Sequence, residues 1–136
     1  MTQQEIIDQL EQIGSVDNFE DQSAQLTEAW SNAGVGLEAV DSILQFMEQH
    51  PNIDFGMPGS LVHFVEDFYG NGYEEKLVQS VQRKPTAHTV WMLNRVINGT
   101  KTPDAKHRLR AIMEQAKLNP LADVDTIQAI DHFVEP

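Results

Sequence analysis

Leu37-Glu38-Ala39-Val40-Asp41-Ser42-Ile43-Leu44-Gln45-Phe46-Met47-Glu48-Gln49-His50-Pro51 reads as one amphipathic helix followed by its stop. Leu37, Val40, Ile43, Leu44 and Met47 recur at three and four, the period of one helical face. Pro51 cannot continue that helix and biases His50 away from helical backbone. The same period runs through the rest of the chain. Ile6, Ile7, Leu10 and Ile13 mark a first helix closed by Gly14. Asp17 or Asn18 can cap a second, running through Trp30 and stopped by Gly34 and Gly36. Beyond Pro51, Pro58 or Gly59 opens a fourth, with Leu61, Phe64, Val65 and Phe68 on one face and Gly70-Asn71-Gly72 as its close. Tyr73, Leu77, Val78 and Val81 define a fifth, and Thr86 caps a sixth carrying Val90, Leu93 and Ile97. Thr102-Pro103 is a cap-then-proline start for a seventh, with Leu109, Ile112 and Met113 inward. Leu121 to Val134 supplies an eighth, with Val124, Ile127, Ile130 and Phe133 as its stripe. No stretch alternates with period two over a useful length. The expected fold is all-α, in one domain over 1–136.

The punctuation repeats as well. Pro51, Pro85 and Pro120 stand 34 and 35 residues apart. Gly34/Gly36, Gly70/Gly72 and Asn98-Gly99 fall between them, where a helix pair would turn. Two helices per period near 34 is the pattern of α-helical repeats. About eight helices in stacked antiparallel pairs, a degenerate HEAT-like arrangement, is the expectation, with an irregular bundle as the alternative.

Charge is the second strong signal. Residues 1–75 contain no lysine or arginine and fifteen Asp and Glu. The remaining six acids, ending at Glu135, share residues 76–136 with all nine basic residues, and the whole chain carries −12. Acids on exposed helical faces are ordinarily just solvated. A field of one sign this large, however, opposes compaction and favours a cationic partner. Clustered Lys and Arg, the footprint of nucleic-acid binding, are missing from most of the chain, so no direct nucleic-acid ligand is expected. No apolar run approaches the roughly 18 residues of a membrane span. Met1-Thr2-Gln3-Gln4-Glu5 lacks a signal peptide's basic start, and the cytoplasm is the expected location.

Candidate chemistry is sparse. His63 and Glu66, three apart with Asp67 beside them, could offer two metal ligands, but an isolated pair is incomplete and a solvated or interface face explains it as well. Gly70-Asn71-Gly72 is followed by no Lys-Ser or Lys-Thr and is no phosphate loop. There is no cysteine, and no nucleophile setting is recognisable. The expectation is no catalytic, cofactor or metal site. Partner contacts are expected instead at Glu66, Asp67, Tyr69, Tyr73, Glu74 and Glu75, where acids surround two tyrosines read as exposed anchors.

The segment Pro58-Gly59-Ser60-Leu61-Val62-His63-Phe64-Val65-Glu66, continued by Gly72-Tyr73-Glu74-Glu75, Arg83-Lys84-Pro85-Thr86 and Trp91-Met92-Leu93-Asn94-Arg95, resembles small all-α bacterial immunity proteins. These accompany polymorphic toxins and contact-dependent growth-inhibition systems. The resemblance spans about residues 55–117. It implies a cytoplasmic protein without catalysis that binds a cognate toxin domain and blocks its active site or substrate access. Many such toxins are basic nucleases, which would account for the acid surplus. A helical-repeat adaptor binding a peptide or protein in a groove is the alternative.

Overall fold

A computed structural model describes residues 1–15 and 17–134; Glu135 lies outside them. The described chain is all-α, with eight helices and no strand. They are α1 (Gln3–Ile13), α2 (Phe19–Asn32), α3 (Leu37–Gln49), α4 (Ser60–Glu66), α5 (Tyr73–Arg83), α6 (Ala87–Gly99), α7 (Pro103–Ala116) and α8 (Val124–Val134). Two compact units divide the chain, Met1–Lys76 and Leu77–Pro136, the division falling inside α5.

In the first unit α3 is the central helix, as its sequence demands. Ala39, Val40, Ile43, Leu44, Phe46 and Met47 are all buried, so apolar surface wraps well beyond one stripe. Each of these side chains larger than alanine contributes roughly 1.5–3 kcal/mol on leaving water. Ile6 and Leu10 of α1 are buried where α1 packs on α3. Trp30 of α2 is buried with its indole N–H donating to Gln9 Oε1 at 2.8 Å, and its ring meets Phe64 of α4 edge-on at 5.6 Å. Burying a tryptophan requires such a partner for its N–H.

In the α3–α4 connection the backbone comes back on itself at residue 59 too closely for any side chain. A Cβ at Gly59 would lie 2.1 Å from the Phe55 carbonyl oxygen. Gly59 is the N-cap of α4 and has no side chain to satisfy the free amides there. Glu20 of α2 reaches across and accepts the Ser60 N–H, supplying the missing cap.

The second unit is built on α6, which packs against α7 and α8. Val90, Met92, Leu93, Val96 and Ile97 are buried. Thr86 and Thr89 form a buried reciprocal cap, each hydroxyl accepting the other residue's backbone N–H at 3.1 Å. Leu109, Met113 and Ala116 face inward from α7, Thr126 and Ile130 from α8.

Several expectations are corrected. The fourth helix ends at Glu66, not at Gly70. Phe68 N–H bonds Val65 O and Tyr69 N–H bonds Glu66 O, so i→i−3 turns replace the helix, and Phe68 is half-buried in that turn. The eighth starts at Val124 because Asp123 caps it, accepting both the backbone N–H (2.8 Å) and the hydroxyl (2.7 Å) of Thr126. That start leaves Leu121 outside the helix and Val124 68% exposed instead of in the stripe. In the first unit α1 packs mainly on α3 and α2 on α4, with smaller contacts within the consecutive pairs α1–α2 and α3–α4.

Candidate partner-binding surface

The first unit displays its acids. Of the fifteen Asp and Glu in Met1–Lys76, eleven are exposed, and Lys76 is the one Lys or Arg in that unit. Asp41, Glu66 and Glu74 are half-buried and Glu48 is buried. Not all of this charge is idle. Carboxylates serve as backbone acceptors at chain turns: Asp54 for Gly56 N–H at 2.9 Å, Glu38 for Gly36 N–H at 3.1 Å, Glu74 for Gly70 N–H at 3.0 Å to both oxygens. The Gly36 N–H holds the Glu38 carboxyl below the usual carboxylate range, because a donated hydrogen bond favours the charged form. Glu11 lies 2.8 Å from His50 Nε2. Asp8 and Asp41 accept from glutamine amides.

The six residues expected to contact a partner all lie on the segment from the end of α4 to the first turn of α5, and they fare differently. Asp67 and Glu75 are exposed, and Tyr69 is 39% exposed. Tyr73 is not an exposed anchor: its exposure is 0%. As the first residue of α5 it sits in register with Leu77 and Val81, at i, i+4 and i+8, and all three turn inward. The Tyr69 ring meets it edge-on at 5.3 Å, so Tyr69 is propped by Tyr73 and keeps one face in solvent. Glu74 closes the turn through Gly70, which ties its carboxylate to structure. Gly72 belongs to the same turn; its φ is +107° and a Cβ there would come 2.9 Å from Leu37 Cδ2. Glu66 is half-buried.

Tertiary packing adds residues that the sequence reading did not group. Where α2 lies on α4, a groove of about 240 Å³ is lined by Thr27, Glu28 and Ser31 on one side and His63, Phe64 and Asp67 on the other. His63 therefore shares a site with Asp67, one turn away, and with Glu28 of another helix rather than with Glu66. The available signal was the four-residue spacing of His63 and Asp67 and of Thr27 and Ser31. That α2 and α4 would meet is not in either spacing.

The groove offers a shallow, acidic, hydrogen-bonding surface with an aromatic floor. Among the described residues no three His, Asp or Glu side chains converge as a metal site, and no helix is long and apolar enough to cross a membrane. Comparison with family models, with curated proteins and with solved structures found no match to this chain.

Proposed function

We propose that this chain binds a basic protein domain through the acidic face of its first unit, and that it does so as an immunity protein neutralising a cognate toxin, for which a nuclease is the best-fitting class. The observation that carries the reading is the exposure of eleven acids in a unit with a single lysine. Such a field speeds encounter with a cationic partner and disfavours anionic competitors. The α2–α4 groove, with Glu28 and Asp67 on its rims and Tyr69 two residues beyond, provides short-range contacts once encounter has occurred. Inhibition would follow by occlusion, with one copy bound per toxin domain.

The test is co-expression with a basic toxin domain recovered on the immobilised chain. Growth should be restored by the wild type and lost with Glu28→Lys/Asp67→Lys. Binding kinetics should show association slowing as salt rises, since screening shortens the field to about 10 Å at 0.1 M. Dissociation should change much less. A partner whose association ignores both salt and the double reversal would leave the acid surplus as a solubility device and remove the reading.

A further inference from the structure

The dipeptide Asn-Gly occurs at Asn71-Gly72 and again at Asn98-Gly99, and the fold holds the two copies differently. Asparagine before glycine suits attack of the main-chain nitrogen on the side-chain amide. Glycine puts no side chain in the way and lets the backbone turn freely. Both asparagines are exposed. Asn71 lies outside the helices, in the turn between α4 and α5, with Gly70 at φ +76° and Gly72 at φ +107° on either side. A Cβ at Gly70 would meet nothing within 4 Å, so the turn has room there. Asn71 N–H donates to Phe68 O at 2.8 Å, Tyr73 N–H to the same oxygen at 3.4 Å, and Gly70 N–H to Glu74. Gly72 N–H donates no hydrogen bond among the described residues; Gly72 contributes only its carbonyl, which accepts Lys76 N–H. The Asn71 side-chain amide makes none among them either.

Asn98-Gly99 carries the same chemistry on a held backbone. Helix α6 runs through Gly99, so the Gly99 N–H belongs to the helical ladder. Thr100 fastens that last turn, its hydroxyl donating to Val96 O at 2.7 Å and its N–H to Ile97 O at 3.1 Å. Attack there requires the end of α6 to open first.

We propose that Asn71 is a site of spontaneous deamidation, and that the fold selects it over Asn98. The Gly72 nitrogen, losing its proton to solvent base, bonds to Asn71 Cγ. The Cγ–Nδ2 bond breaks, Nδ2 takes up a proton, and ammonia leaves behind a cyclic imide. Water then adds to either imide carbonyl and opens the ring. One opening gives an aspartyl residue at position 71. The other gives an isoaspartyl residue, whose main chain runs through Cβ and Cγ and is one methylene longer. No electrons are transferred, and water is the reactant consumed. Either product adds a carboxylate to the turn between Tyr69 and Glu74. The longer chain of the isoaspartyl form also shifts its junction with Gly72, where a Cβ would come 2.9 Å from Leu37 Cδ2, just before fully buried Tyr73. The inference goes beyond the toxin reading and stands without it, since it concerns the chain alone.

Ageing the full chain in mildly alkaline buffer, followed by ion exchange and peptide mapping, tests it. In the folded wild type Asn71 should convert at least about fivefold faster than Asn98, the factor equivalent to one net hydrogen bond that α6 must break. In urea-unfolded chain the two rates should converge, because glycine follows both asparagines. Asn71→Gln should abolish the early acidic species and Asn98→Gln should leave it; both alter exposed side chains, so both should fold. The isolated isoaspartyl form should unfold at lower urea than the unaged chain. An Asn71 that survives ageing or converts no faster than Asn98, a rate ratio that persists in urea, an undiminished acidic species in Asn71→Gln, or an isoaspartyl form as stable as its parent would overturn the proposal.

Discussion

The unit Met1–Lys76 and the unit Leu77–Pro136 bury comparable helices but secure the ends of those helices differently. In the first, the Thr2 hydroxyl caps α1 and carboxylates serve at the later ends and turns: Glu20 caps α4 from another helix, Glu74 closes the Gly70–Gly72 turn, and Glu38 and Asp54 hold loop amides. In the second, hydroxyls take that role at α6, through Thr86 and Thr89, and a carboxylate paired with a hydroxyl takes it at α8, through Asp123 and Thr126. The difference teaches that an acidic surface is not a uniform reservoir of free charge. Part of it is structural, and charge reversal at those positions tests folding before it tests binding.

The largest effect expected in this contrast is in the cores. Trp30→Ala removes a buried ring, its contact with Phe64 and the bond to Gln9, and should cost about 3–5 kcal/mol of stability. Leu93→Ala in α6 should cost about 2–5 kcal/mol. Urea unfolding followed by tryptophan fluorescence and by circular dichroism measures both. Loss of less than 1 kcal/mol for Trp30→Ala would mean that α2 is not anchored as the structure has it.

Glycines give the next test. Gly59→Ala places a methyl against the Phe55 carbonyl and should destabilise by about 1–3 kcal/mol. Gly99→Ala, at the end of α6 with nothing within 4 Å of the new carbon, should be neutral or stabilising by up to about 0.5 kcal/mol. Equal effects from the two would break the comparison.

Removing acceptors should cost less. Glu20→Ala and Asp123→Ala each leave helix amides uncapped, and each should lower stability by about 1 kcal/mol. Asp123 adds a pH signature. The Thr126 hydroxyl and then its backbone N–H hold the Asp123 carboxyl below the usual range. A carboxyl lowered by folding contributes stability that is present above its unfolded value and lost as pH falls through the folded one. The acid limb of the stability profile should therefore flatten in Asp123→Ala, below the ordinary carboxylate range and nowhere above it.

The smallest contrast separates neighbours. Glu74→Lys forfeits the Gly70 bond and should lower the unfolding midpoint by an amount equivalent to about 1 kcal/mol. Exposed Glu75→Lys should leave it unchanged. A matching loss at Glu75 would show that the field, rather than the turn, sets stability there.

Local pattern determined most of the helices of this chain. The three-and-four spacing in residues 37–47, the Thr86 cap and the Thr102-Pro103 start lie where the structure has them, because each depends on neighbours within a turn or two. The charge asymmetry is likewise a property of the sequence. Tertiary structure decided what spacing could not: that α1 meets α3 and α2 meets α4, and that Glu28 therefore faces His63 and Asp67. It also sent Tyr73 inward and left Tyr69 outside, although the two tyrosines flank the same glycine turn. Helix periodicity says which residues share a face. Which faces meet depends on contacts between residues distant in sequence, and those are set by the summed packing of all the helices rather than by any one of them.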